Sequence, residues 1–226
     1  MSQLNAQTLA IVAGKKLLRK QIMSKLSSLP KNVIQEQSLE SFSILKNTKI
    51  FKEAKSIGVF MSMDTEIKTS YILKEAFDCG KDVYLPRIET QSQDQITLYK
   101  NGPHYVMFYK MDNYNSCINL PQVGKYKLQE PSGGVCLLND HPYGDKGLDL
   151  LIMPGVAFTS DLNRLGHGGG FYDDFLKRYK DTYGKHPFLL GIGLGDQLVD
   201  EIPTDIHDEK LDGLIIRDKL YGNDSL

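Results

Sequence analysis

The sequence predicts an α/β domain built on a largely parallel sheet. Short apolar runs alternate with amphipathic stretches of helical spacing, the pattern of strands covered by helices. One run, Leu148-Asp149-Leu150-Leu151-Ile152-Met153-Pro154, lies between Gly147 and Pro154-Gly155 and reads as a buried strand. The stretch after it, Arg164-Leu165-Gly166-His167-Gly168-Gly169-Gly170-Phe171-Tyr172-Asp173, is rich in glycine and runs into a helical pattern at Phe171, Phe175, Leu176 and Tyr179.

The elements follow in chain order. Leu9 to Leu26 reads as a helix, with Leu18, Ile22 and Leu26 four residues apart, and Leu29-Pro30 breaks it. A second helix spans Lys31 to Lys46 and presents Ile34, Phe42 and Leu45. Ser56 to Met63 reads as a strand. Thr69 is expected to cap a helix with the apolar face Ile72, Leu73, Ala76 and Phe77, closed by Gly80. Asp82 to Pro86 is the next strand. Ile96–Tyr99 and Tyr105–Met111 read as a β-ribbon around Asn101-Gly102-Pro103. Val123 to Gly147 is rich in Gly, Pro, Asn and Lys and reads as an irregular excursion. The sheet resumes with Leu148–Met153, Phe188–Leu194 and Leu214–Arg217. A single domain over 1–226 with a loop-rich insertion is expected.

Composition narrows the function classes. The chain has 226 residues, with 41% hydrophobic and 24% charged residues, ordinary for a globular protein. A net charge of −1 gives no basic field for nucleic acid, so no nucleic-acid partner is expected. Cys79, Cys117 and Cys136 are scattered with no C-x-x-C pair, which suggests a reducing compartment and no zinc site. No apolar run approaches membrane-spanning length. The first acidic residue is Glu36, but the basic residues cluster late, from Lys15 to Lys25, as on a structural helix. The cytoplasm is the expected compartment, with mitochondria left open.

The glycine-rich stretch points to phosphate. Backbone N–H groups at the start of a helix are unpaired and approachable, and glycines let an anion come close. No Gly-Lys-Ser/Thr follows, so this is not a Walker A loop, and the Gly-x-Gly-x-x-Gly spacing is broken. A plain glycine-rich turn is the alternative, but Arg164 and Asp173 on its shoulders add a cation and a hard carboxylate suited to Mg²⁺. Ligands of open α/β sheets bind outside the carboxyl ends of the strands. Met63, Asp64, Glu66, Pro86 and Arg87, each just past a strand, should therefore share that edge with the loop.

These residues resemble the 5-formyltetrahydrofolate cyclo-ligase (5,10-methenyltetrahydrofolate synthetase) family over most of the chain. The resemblance rests on Lys15-Lys16-Leu17-Leu18-Arg19, Phe60 to Ile67, Leu85-Pro86-Arg87, Leu120-Pro121-Gln122, Asp149 to Asp173, and Lys210-Leu211-Asp212. It implies a three-layer α/β/α sandwich, Rossmann-like, with a largely parallel mixed sheet. It also implies an ATP- and Mg²⁺-dependent ring closure of 5-formyltetrahydrofolate to 5,10-methenyltetrahydrofolate, with both substrates as small-molecule partners. A monomer is expected.

Site roles follow from the resemblance residue by residue. Lys15 and Arg19, one turn apart, would bind ATP phosphates; Lys16 belongs to the same basic run, with its side chain expected outward. Arg164, Leu165, Gly166, His167, Gly168, Gly169, Gly170, Phe171 and Tyr172 would cradle the nucleotide. Arg164 and the amides of Gly168, Gly169 and Gly170 would be the catalytic group that neutralises charge on the transferred phosphoryl. Met61 and Glu66, with His167, the three glycines and Phe171, would contact the folate. Asp173 and Asp212 would be the Mg²⁺ ligands. Many family members carry arginine at the position of His167 and tyrosine at that of Phe171. A sugar-phosphate isomerase or CoA-transferase-like enzyme, and a folate-binding protein without turnover, are the alternatives.

Overall fold

The computed structural model describes residues 2–90, 104–124, 127–140, 147–205 and 208–222, with side chains from residue 6 onward. The first third contains α1 (Ser2–Ser27), α2 (Lys31–Leu45), α3 (Lys49–Glu53), β1 (Ser56–Gly58), α4 (Ser70–Asp78) and β2 (Asp82–Thr90). Next come β3 (His104–Met111), α5 (Tyr114–Ile118), β4 (Gln122–Val123), β5 (Leu128–Gln129) and α6 (Leu137–Asp140). The last third contains β6 (Leu150–Met153), β7 (Ala157–Phe158), β8 (Arg164–Leu165), α7 (Phe171–Tyr183), β9 (Phe188–Gly193), β10 (Gly213–Ile216) and β11 (Lys219–Gly222).

Seven strands form one sheet in the order β11-β10-β9-β6-β1-β2-β3. The five inner strands are parallel, and the two edge strands β3 and β11 run antiparallel to their neighbours. Alternate side chains leave opposite faces of each strand. Leu150 and Ile152, with Val83, Leu85, Leu190 and Ile215, pack in a cluster shared with α1, α2 and α4. Leu151 and Met153, with Tyr84, Leu189, Leu214 and Ile216, pack in a cluster shared with α6 and α7. The outcome is the three-layer α/β/α arrangement the sequence led us to expect. Among the described residues no helix is long and apolar enough to cross a membrane.

Several elements differ from the sequence reading. Tyr105–Met111 is indeed extended, but it pairs with β2 from Val83↔Met111 to Thr90↔His104, as an edge of the main sheet. The other half of the expected ribbon, Ile96–Tyr99 and the turn at 101–103, lies outside the described residues. The excursion after Val123 carries the short β4–β5 ribbon and α6. The strand expected over Ser56–Met63 is regular only to Gly58, although Val59 N–H still donates to Tyr84 O at 2.9 Å. Thr69 precedes α4 without capping it through its side chain; its hydroxyl donates to Phe60 O at 2.7 Å. That bond and the one from Thr69 N–H to Ser62 Oγ at 2.7 Å fold the segment after β1 back over the strand ends.

Candidate active site

The site starts from the head of α7. After β6 the chain passes Pro154 and Gly155, forms the β7–β8 ribbon, and reaches the glycine loop. Gly168 and Gly170 have φ values of +101° and +67°, a region that costs other residues strain, and Gly170 is the N-cap of α7. A side chain at Gly169 would bring its Cβ within 2.8 Å of the Phe171 ring. Among the described residues the N–H groups of Gly168, Gly169 and Gly170 have no protein acceptor. Three free amides at the positive end of a 13-residue helix could receive an anion.

Cations surround it. A groove of about 950 Å³ runs past the loop, and Arg164 through Asp173 line it without a break, joined across the gap by Lys15 and Arg19 of α1. Arg19 Nε donates to Gly166 O at 2.7 Å, which ties α1 to the loop. Arg164 is nearly buried; its Nη2 sits 3.0 Å from Asp173 Oδ1, its Nη1 donates to Pro154 O at 3.3 Å, and its guanidinium lies over the Tyr172 ring. These bonds hold a fixed positive charge beside the free amides. Lys15 Nζ meets both oxygens of Asp208, at 2.8 and 2.5 Å.

A second set of groups meets the loop from the segment after β1. Glu66 is buried, and Met63 N–H donates to its Oε2 at 2.8 Å. Burial pushes its carboxyl up to about 7, against the opposing pull of the Met63 amide and Lys68. Its other oxygen lies 3.9 Å from His167 Nε2. Burial, Arg164 and Arg19 together hold His167 below its ordinary value. Both groups are thus pushed toward their neutral forms, and the contact is not a settled ion pair at neutral pH. Burial likewise pushes the Tyr172 phenol up. Met61 is half-buried against the core cluster under α1, α2 and α4.

The expected nucleotide residues therefore converge, with one exception. Lys16 is exposed and does not line the groove, since one residue turns a helix by about 100° away from Lys15. Glu66 does not line the groove but reaches the loop through His167. Asp212 does not join Asp173. It precedes β10, level with Leu189, and its Oδ2 accepts the Leu189 N–H at 2.8 Å. Leu189 is in turn paired with Leu151, two residues before the end of β6, so Asp212 sits below the carboxyl edge where the loop lies. Besides Asp173, the groove is lined by Asp181, Asp205, Asp208 and Glu209; of these Asp208, four positions before Asp212, is the one held by Lys15. No local signal singles out Asp208 from Asp200, Glu201, Asp205 and Glu209 in the same stretch; its pairing with Lys15 is set at long range. Among the described residues no three metal-binding side chains cluster. Asp173, paired with Arg164, and Asp208, paired with Lys15, both line the groove, and either could offer an oxygen to a Mg²⁺ ion arriving on a phosphate.

Comparison with known proteins gives the family. The profile of the 5-formyltetrahydrofolate cyclo-ligase family matches residues 11–217. The 5-formyltetrahydrofolate cyclo-ligase of Saccharomyces cerevisiae is 31% identical over 211 residues, which cover 92% of this chain and 97% of that one. The mouse protein of the same name is 29% identical over 206 residues, covering 91% and 95%. In fold, the chain resembles the NMR structure of Aquifex aeolicus 5,10-methenyltetrahydrofolate synthetase, with a TM-score of 0.68 at 24% identity over 92% of each chain. This chain belongs to the 5-formyltetrahydrofolate cyclo-ligase family.

Proposed function

We propose that the chain closes 5-formyltetrahydrofolate to 5,10-methenyltetrahydrofolate at the expense of ATP, releasing ADP and phosphate. The formyl group on N5 is amide-like, and its oxygen is a poor leaving group. That oxygen attacks the γ-phosphorus and the bond to the β-phosphate breaks. The N10 lone pair then attacks the formyl carbon, the C–O bond breaks toward phosphate, and N10 loses its proton. The chain's task is alignment and charge neutralisation.

The observation that carries this reading is the row of unpaired amides at Gly168, Gly169 and Gly170, flanked by Lys15, Arg19 and Arg164. The triphosphate lies along that row, with Arg164 fixed on the transferred phosphoryl. Glu66 takes the pterin, whose ring N–H and amino group offer two parallel donors to a carboxylate. His167 touches both halves: it lines the groove and faces Glu66 at 3.9 Å. Mg²⁺ held by Asp173 and Asp208 would offset charge on the phosphate oxygens. We take the working form to be a monomer acting on these two small molecules in the cytoplasm.

The test follows the methenyl chromophore with purified full-length chain. Absorbance must appear only when 5-formyltetrahydrofolate, ATP and Mg²⁺ are all present, with one ADP formed per turnover. Chromophore formation without ATP, or ATP hydrolysis independent of the folate, overturns the proposal.

A further inference from the structure

The groove does not end at the glycine loop. It continues along α7 past Lys180 to His186 and Glu209, and Ile11 and Val12 of α1 line it as well. From Gly170 to Asp181 the helix rises about 16 Å, so the space extends well beyond a phosphate site. Three features at this end stand out among the described residues. Val12 is 54% exposed, an apolar wall in a polar groove. His186 has both ring nitrogens shielded from water and without a hydrogen-bond partner among the described residues, a costly state for a polar group. Glu209 Oε1 stands 3.8 Å from His186 Nε2, too far for a hydrogen bond, on a half-exposed side chain free to turn.

We propose that this distal end is the nucleoside subsite of the groove and that Glu209 and His186 select adenine over guanine. The inference rests on the nucleotide reading of the glycine loop. The flat base lies against Ile11 and Val12. A carboxylate only accepts, and an imidazole offers one N–H. Adenine presents an amino donor beside the N7 acceptor, whereas guanine presents two acceptors, O6 and N7. Glu209 turning onto the amino group uncovers His186, whose N–H then meets N7. Guanine would set O6 against the carboxylate. The carboxylate-rich tail of a folate is the other candidate occupant, drawn by Lys177 and Lys180. Asp205 and Glu209, which line the same groove, repel it.

The full-length wild type is compared with Glu209→Gln and His186→Ala for kcat/KM with ATP and with GTP at saturating 5-formyltetrahydrofolate. The wild type should prefer ATP. Glu209→Gln should lower the ATP value about tenfold, because a neutral acceptor replaces a charged one, while the GTP value holds or rises, since the amide NH2 can turn to guanine O6. Equal losses for both nucleotides, or a change confined to the KM for the folate, overturns the inference. A binding readout separates it from the cyclisation reading and from any folding defect. The ring signals of His186 in the wild type, followed by NMR, should move on adding ADP and stay in place on adding inorganic tripolyphosphate. Signals unmoved by ADP overturn the subsite even if turnover is normal; signals moved by ADP in a chain without turnover leave the subsite standing and sink the reaction.

Discussion

Replacing Glu66 by Gln should change stability and folate binding in a pH-dependent way whose size follows from the site. Burial raises this carboxyl from 4.5 to about 7, although Met63 N–H and Lys68 oppose the rise. That displacement corresponds to about 3 kcal/mol of unfavourable charge burial once the group ionises. The folded chain keeps the Glu66 proton through a range where the unfolded chain has lost it. The penalty is therefore absent below the unfolded value, grows as pH rises from 4.5 to about 7, and is complete above. Gln keeps a carbonyl for the Met63 N–H and never ionises. Urea unfolding of both proteins across pH should show little difference near pH 4 and a variant more stable by up to about 3 kcal/mol near pH 8. The folate shows the opposite trend. An ionised Glu66 accepts both pterin donors, so wild-type affinity for 5-formyltetrahydrofolate should rise with pH through about 7, whereas the variant binds more weakly and with a flat profile. A stability difference that does not vary with pH, or equal folate affinities at all pH values, refutes the reasoning.

Other outcomes follow from the same geometry. Asp208→Asn should weaken Mg·ADP binding at least about tenfold by calorimetry, while Asp212→Asn, whose amide oxygen still accepts from Leu189 N–H, should leave it unchanged. The reverse result would restore Asp212 to the site. Gly168→Ala forces a side chain into φ +101° beside the Arg19 guanidinium; it should lower the unfolding free energy by about 1–3 kcal/mol and weaken ADP binding by calorimetry, and unchanged values of both would show that the loop does not need glycine there. Tyr179→Phe removes a hydroxyl that accepts Leu148 N–H at 2.6 Å in the core. It should lower unfolding free energy by about 1–3 kcal/mol with turnover intact; unchanged stability would show that the bond carries nothing.

Much of this was legible because it depends on local chemistry. The glycine run, its helix and the flanking Arg164 and Asp173 are contiguous, so the loop and its charges could be placed from the sequence alone. The inner strands announced themselves as apolar runs because both faces of the sheet are covered. What sequence could not supply were pairings set at long range. Tyr105–Met111 reads as a strand, but its partner Asp82–Thr90 lies beyond residues 91–103, and no local signal chooses it over a nearer ribbon. The strands β7 and β8, of two residues each, are too short for any periodicity. Thr69 carries a capping residue's chemistry, yet its hydroxyl goes to Phe60 O because the chain folds back there. Asp208 and Asp212 are four residues apart and chemically alike: the register of β10 on β9 puts Asp212 against Leu189 N–H, and the chain before β10 brings Asp208 to Lys15.

The proposed reaction depends most on the amides of the glycine loop gripping the nucleotide's phosphates. Backbone resonances of Gly168, Gly169 and Gly170 in the isotopically labelled full-length chain, titrated with Mg·ADP, test this directly. All three should shift together and saturate with the same affinity that calorimetry gives for the nucleotide. Saturable ADP binding that leaves those three resonances where they were would contradict it.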